Sequence, residues 1–367
     1  MSERSGKRAV LVAPHQDIEI WQRPAASPGP GEVLARLELG GVCGTDVHLW
    51  HGEVPLPGPI VLGHEGIGVV QELGAGVGSD FAGAPLAPGD RIYWQPTRPC
   101  HRCHGCTVLN DVTLCENYFA GVFGSAEGPT AATYSEYVTL AADLPFYRIP
   151  DDTPSEPIIA FGCAMPTMLQ ALERLGGIEP GQSVVVQGCG PVGLAATLLA
   201  GVAGAGEIVV VGAPAQRLEL ARQYGATHTL DLGEVADPAQ RIAQVRELTG
   251  GRGAEVVIEA AGVIGAFSEG LEMTAANGRY LIVGLWSAPG TVPLEPRLIN
   301  NRNLRIIGTA LSQPRHLHQA IEVARVHHRR LPMAQAITHR FSIDQSQQAL
   351  EAVARMETVK AVITPAA

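Results

Sequence analysis

The chain has 367 residues, 46% of them hydrophobic and 17% charged, with a formal charge of -10. At roughly 100–200 residues per domain, that length implies two domains. The acidic balance excludes a nucleic-acid-binding surface, which needs a basic face against phosphate, and no apolar run approaches the ~18 residues of a membrane span. The early stretch Ala9-Val10-Leu11-Val12-Ala13 is too short for a secretory signal, so the expectation is a cytoplasmic protein. In that reducing setting the seven cysteines read as metal ligands rather than disulfides. Lysine occurs only at positions 7 and 360, so an anion in the interior of the chain must be met by arginine, backbone N–H groups or Lys360. The run His327-His328-Arg329-Arg330 reads as a solvated helix face.

From Ala9 to Leu39 short apolar runs alternate with turn signals such as Pro28-Gly29-Pro30-Gly31, a mostly-β pattern. Cys43-Gly44-Thr45-Asp46-Val47-His48 then sets a thiol, a hydroxyl, a carboxylate and an imidazole within six residues. Gly63-His64-Glu65 follows, with Gly66, Gly68, Gly74 and Val77 behind it, placing an imidazole beside a carboxylate where glycines let backbone pack closely. Further strands are expected at Ile92-Tyr93-Trp94 and from Tyr134 to Val138. Between them lies a loop carrying Cys100, Cys103, Cys106 and Cys115, four thiols whose two-residue gaps suit a closed tetrahedral Zn²⁺ of structural type. His101 and His104 read as solvated, because Cys115 already supplies a fourth donor.

Beyond Pro154 the pattern becomes a strict alternation of strands and helices. Apolar strands are expected at Ser183 to Gln187, Ile208 to Val211, Val256 to Ile258 and Tyr280 to Val283, with helices at Pro166 to Leu175, Leu194 to Ala203, Arg217 to Tyr224 and Ala239 to Leu248. Strands apolar on both faces and separated by helices imply a parallel sheet covered on both sides. After Leu304 to Gly308 the chain is expected to return to the first domain, with amphipathic helices from Leu317 to Arg325 and Gln345 to Arg355.

At the end of the first of these strands, Gly188-Cys189-Gly190-Pro191-Val192-Gly193 opens a helix, the context a dinucleotide-binding turn requires. Close backbone approach and free helix N–H groups would receive the pyrophosphate. The acidic residue expected at the end of the next strand, to hold the ribose hydroxyls, is Gly212 instead. Without that carboxylate a 2′-phosphate is not repelled, yet Ala213-Pro214 bring no cation before Arg217; Arg217 and Arg222 suit either group, which leaves NAD and NADP both open. Cys189 reads as a small filler within the turn. Cys43 and Cys163 with His64 would make a Cys₂His set of the kind used by catalytic zinc, but members so far apart are not linked by spacing.

On these residues the chain resembles the zinc-containing alcohol dehydrogenases of the medium-chain dehydrogenase/reductase superfamily. The run from Gly63 to Val77, the Cys43-to-His48 segment, the cysteine lobe and the glycine turn all match, over nearly the whole length. The resemblance implies an α/β fold: a Rossmann-type doubly wound parallel sheet at 164–306, and a mostly-β GroES-like catalytic domain at 1–163 completed by 307–367. It implies a catalytic zinc on Cys43, His64 and Cys163, with Glu65 as an exchangeable or inner-sphere carboxylate, and Asp46 behind His64. The structural zinc would lie on Cys100, Cys103, Cys106 and Cys115, although eight residues separate Cys106 from Cys115 where the family has seven.

The implied reaction interconverts an alcohol with a ketone or aldehyde, at the expense of NAD or NADP. Zinc acts as a Lewis acid on the substrate oxygen. Thr45 passes the proton through the cofactor ribose toward His48, and hydride goes to the nicotinamide. Thr167 and Val283-Gly284-Leu285 would face the nicotinamide, and Lys360 the pyrophosphate. Pro96, where many members carry a bulky aromatic, suggests room for a branched or cyclic secondary alcohol. Polyol, threonine or hydroxy-terpenoid oxidation by the same chemistry, or a non-catalytic zinc protein keeping the fold, are the competing readings. The strand near Leu304 to Gly308 is expected to pair with its copy in a homodimer or homotetramer.

Overall fold

The computed structural model describes residues 4–56, 58–118, 124, 126–287 and 290–365. It divides into two compact units, one of Met1–Cys163, Gln313–Arg329 and Met333–Ala367, the other of Ala164–Ser312 with Arg330–Pro332. The expected α/β class is what the chain forms.

In the first unit, alternating apolar positions close two layers, antiparallel except where Ile337–Ser342 pairs parallel with Lys360–Thr364. The strand Val33–Val42 is the hub: it pairs with Glu65–Leu73, Tyr137–Leu140 and Lys360–Thr364. The larger sheet runs Ile337–Ser342, Lys360–Thr364, Val33–Val42, Glu65–Leu73, Arg91–Trp94 and Phe146–Arg148. Its one face buries Val33, Ala35, Leu37, Val70, Ile92 and Trp94 together. A second core gathers Leu11, Leu49, Ile60, Leu62, Leu350 and Ile363, so the C-terminal strand and helix are built into this unit. That register matters for the site, because Gly41 lies opposite Glu65, and Ala361, next to Lys360, opposite Val42.

The second unit is a six-stranded parallel sheet in the order His228–Asp231, Glu207–Gly212, Ser183–Gln187, Ala254–Glu259, Thr274–Ile282, Arg305–Gly308. Val184, Val185 and Val186 are wholly buried, as their run of β-branched residues requires in a sheet covered on both faces. Each such valine removed from water contributes about 1.5–3 kcal/mol. The strand order reverses between Ser183–Gln187 and Ala254–Glu259, and in open sheets of this kind ligands bind beyond the carboxyl ends of the strands at that reversal.

Two features differ from expectation. The short strand His228–Asp231 is polar and therefore carries no apolar signal; it holds its place at the sheet edge by pairing with Val209 to Gly212. Arg305–Gly308 is still the sixth strand of the parallel sheet, so the chain leaves this unit at Gln313 rather than at 307. Among the described residues, no helix is long and apolar enough to cross a membrane.

Candidate metal and cofactor sites

Cys43 ends the hub strand and caps the helix Gly44–Trp50, whereas His64 and Glu65 enter the neighbouring strand. Cys163 closes the unit. Their ligand atoms, one from each of the four, lie within 4.8 Å of one another, and the two sulfurs are 3.7 Å apart. Gly162 makes this closeness possible: it adopts a φ of +46, and a Cβ there would fall 2.2 Å from Glu65 Cδ.

Asp46 is fully buried and does two things at once. Its Oδ2 accepts the Cys43 N–H at 2.9 Å, its Oδ1 accepts the Gly63 N–H at 3.2 Å, and the same Oδ1 stands 3.4 Å from His64 Nδ1. The carboxylate thus fixes both ligand-bearing turns and orients the imidazole so that Nε2 is the nitrogen left for a metal. Tyr134 OH adds a further contact at 3.4 Å.

The electrostatics favour a cation. Burial opposes charge on His64, yet Asp46 and the Cys43 sulfur hold its imidazole well above the ordinary value. The hydrogen bond with Cys163 pulls the Cys43 thiol well below its usual range and pushes Cys163 well above. Two sulfurs, an imidazole and a carboxylate within 4.8 Å of one another fit Zn²⁺, whose preferred ligands are these.

Lys360 is 2% exposed, and its Nζ donates to Glu65 Oε2. Strand pairing delivers it there. Glu65 Oε1 accepts the Cys163 N–H at 2.8 Å, so the carboxylate bridges a ligand's backbone and a buried ammonium. Burial pushes the Glu65 carboxyl up, but Lys360, together with His64 and the hydrogen bond from Cys163, more than offsets it and holds the group below its ordinary value.

Thr45 and His48 are three residues apart on one helix and so share a face. Thr45 Oγ1 lies 3.8 Å from Cys43 Sγ, beside the metal pocket. His48 Nδ1 is 2.6 Å from Glu53 Oε2. Glu53 went unrecognised in the sequence, although it lies five residues beyond His48, just past the helix end.

In the cysteine lobe, the sulfurs of Cys100, Cys103, Cys106 and Cys115 also fall within 4.8 Å. The helix His104–Thr107 and the turn Val112–Leu114, capped by Asp111, take up the longer spacing before Cys115. Backbone N–H groups of Cys100 and Asn117 point at Cys115 Sγ at 3.3 and 3.4 Å. The Arg102 backbone N–H pulls the Cys100 thiol down to about 6, while burial pushes Cys106 up to about 12. Two lowered thiols among four, Cys100 and Cys103, with amides aimed at sulfur, fit a closed thiolate metal site.

In the second unit, Gly188 takes a φ of +102 and packs against the loop at Ala260. Gly190 caps the helix Pro191–Val202, with Pro191 at its first position and Val192 and Gly193 behind. A Cβ at Gly190 would meet nothing within 4 Å, so the helix N-terminus opens onto free space that fits a pyrophosphate. Gly212 has a steric explanation: a Cβ there would sit 2.4 Å from Cys189 Sγ, which itself donates to Ala213 O at 3.3 Å. The filler cysteine and the missing acid are therefore one feature. Arg217 is half-buried on the helix Ala215–Gln223, Thr167 half-buried on Ala164–Leu175, and Val283, Gly284 and Leu285 follow the strand Thr274–Ile282. Glu259, buried at the point of strand reversal, was not recognised in the sequence because it reads as the end of an apolar strand.

Comparison with known proteins agrees with this geometry. Residues 29–151 match the alcohol dehydrogenase GroES-like domain, and residues 191–325 the zinc-binding dehydrogenase domain. The chain is 44% identical to 5-exo-hydroxycamphor dehydrogenase of Pseudomonas putida over 97% of its length and 98% of that protein's. It is 30% identical to sorbitol dehydrogenase of Gallus gallus, over 97% and 95% of the two chains. Among solved structures, an alcohol dehydrogenase from Thermotoga maritima superposes with a TM-score of 0.91 at 28% identity, covering 98% of this chain and 99% of that one. A structure from Sinorhizobium meliloti 1021, described as a zinc-binding dehydrogenase bound to NADP, gives 0.84 at 29% identity, with 98% and 99% covered. The chain belongs to the zinc-containing alcohol dehydrogenase family of the medium-chain dehydrogenase/reductase superfamily.

Proposed function

We propose that the protein is a zinc-dependent oxidoreductase that moves hydride between an alcohol and NAD(P), and that its substrate is a cyclic or branched secondary alcohol giving a ketone. The observation that carries the reading is the convergence of Cys43, His64, Glu65 and Cys163 on one buried point beside Thr45. Cys43, His64 and Cys163 would hold the catalytic zinc, and the lobe cysteines the structural one. When bound, zinc supplies Lewis acidity toward the substrate oxygen, and the nicotinamide supplies the hydride acceptor.

The chain's own residues do the rest. Asp46 keeps His64 in one tautomer and orientation. Lys360 draws Glu65 toward Cys163, leaving an anionic group in reserve at the pocket wall. The Thr45 hydroxyl takes the substrate proton and His48 passes it to solvent, with Glu53 accepting from Nδ1 so that Nε2 is the exchanging nitrogen. Gly188, Gly190, Pro191, Val192 and Gly193 would cradle the pyrophosphate, and Thr167 with Val283-Gly284-Leu285 the nicotinamide. With Gly212 free of charge and Arg217 near it, both NAD and NADP are accommodated.

Pro96 in place of a bulky aromatic, and the 44% identity to a hydroxycamphor dehydrogenase, support the cyclic secondary substrate. The edge strand Arg305–Gly308, paired on one side only among the described residues, supports a homo-oligomer joined edge to edge. Seven cysteines held as thiols suit the cytoplasm. The test is nicotinamide reduction across a panel of primary, acyclic secondary, cyclic and polyhydroxy alcohols with each cofactor. The highest kcat/KM is expected for a cyclic secondary alcohol; a preference for straight-chain primary alcohols or for polyols overturns the substrate assignment.

A further inference from the structure

Glu259 ends the strand Ala254–Glu259 at the point where the sheet order reverses, and it has no exposed surface. Its partners are backbone amides. Oε1 accepts the N–H groups of Ala261 at 2.9 Å and Gly262 at 2.7 Å, and Oε2 accepts that of Gly284 at 2.9 Å. The first two belong to the loop after its own strand, the third to the loop after the neighbouring strand. Around the carboxylate the two loops touch backbone to backbone. A Cβ on Gly284 would lie 2.6 Å from Gly262 N and 2.9 Å from Glu259 Oε1, and Gly262 holds a φ of +69. On its other side the first loop abuts the dinucleotide turn, since a Cβ on Gly188 would meet Ala260 O at 2.6 Å.

Burying a carboxylate is expensive unless several donors satisfy it, and a hydrophobic residue here would orphan three amides instead. The chain accepts that cost at the reversal point. We propose that Glu259 is a positioning residue for the nicotinamide end of the cofactor, clipping the 260–262 loop to Val283-Gly284-Leu285. The inference rests on the dinucleotide reading above. Its physical content is directional: each peptide is planar and trans, so an N–H drawn toward Glu259 turns the preceding carbonyl the opposite way. Drawing in Gly284 N–H turns the Val283 carbonyl outward, and drawing in Gly262 N–H does the same for Ala261. An outward carbonyl is the acceptor that a carboxamide NH₂ requires.

The test compares two ligands that share the adenosine diphosphate ribose half and differ in the ring. Binding of NADH (and NADPH) and of ADP-ribose is measured by calorimetry on the zinc-loaded protein, wild type and Glu259→Gln, an isosteric change that replaces one acceptor by a donor. The expected result is a loss of about tenfold or more in affinity for the reduced dinucleotide, with ADP-ribose binding within about twofold of wild type. Gly284→Ala, which presses on the same carboxylate without altering charge, is expected to reproduce the split, and it serves if the first variant does not fold. Equal weakening of both ligands, or unchanged binding of both, overturns the proposal. Failure of the wild-type protein to bind either dinucleotide overturns the cofactor reading beneath it.

Discussion

Lys360 and Glu65 form a pair in which each makes the other's burial tolerable. Removing the cation by Lys360→Met leaves a buried, uncompensated carboxylate, a loss of about 3–5 kcal/mol. The sign with pH follows from the shifts. The Glu65 carboxyl is held below its ordinary 4.5, so its contribution is complete above that value and is lost as pH falls through the lower folded one. Lys360 is held above 10.5, so its share is complete below that value and is lost as pH rises through the higher folded one. Without Lys360 burial raises the variant's carboxyl above 4.5, so thermal unfolding is expected to show the gap between wild type and variant widest toward neutral pH and narrowing as pH falls through that raised value and then through the lower one of the wild type. A gap independent of pH would detach the effect from the ion pair. Asp46→Asn gives a second test, because one of the amide and imidazole partners of Asp46 must then face an NH₂ group. Zinc competition with a chelator is expected to show one site weakened by about 10–100-fold, the lobe site being unchanged.

These residues also show what a sequence carries. His64 was legible because the glycines around it are needed by the close packing of its strand, and Cys43 because it shares a tight turn with Thr45, Asp46 and His48. Cys163 was legible only through resemblance, since nothing local distinguishes it. The pairing of Lys360 with Glu65 was not legible: the two are 295 positions apart, and only the pairing of the C-terminal strand with Val33–Val42 brings them together.

At the scale of the element, the second strand–helix unit of the parallel sheet carries the cofactor choice. Its strands were readable from apolar runs, whereas His228–Asp231 was not, because an edge strand need not be apolar. The reason for Gly212 was not readable either, since it lies in the sulfur of Cys189, across the turn. Gly212→Asp alone is accordingly expected to destabilise the protein and bind cofactor poorly. The double variant Cys189→Gly/Gly212→Asp, which opens that space, is expected to recover stability and to favour NAD over NADP by about tenfold relative to wild type. Steady-state kcat/KM for the two cofactors reads this directly; if Gly212→Asp alone gives the same shift without loss of stability, the steric account fails.

For the whole molecule, assembly and metal content are the outstanding consequences. In the edge strand Arg305–Gly308 the following Thr309 N–H bonds Ile282 O, so by alternation the Ile306 N–H faces the other, unpaired side, and Ile306→Pro, which removes an edge donor, is expected to lower the mass seen by light scattering without loss of zinc. An unchanged mass would place the oligomer contact elsewhere. The central claim is that Cys43, His64 and Cys163 hold a zinc on which turnover depends, separate from the lobe. Zinc analysis paired with activity tests it most directly: wild type is expected to carry about two equivalents per chain, and Cys43→Ser about one, with the fold retained and turnover abolished. Two equivalents persisting in an inactive Cys43→Ser protein, or full turnover with the second zinc gone, would contradict it.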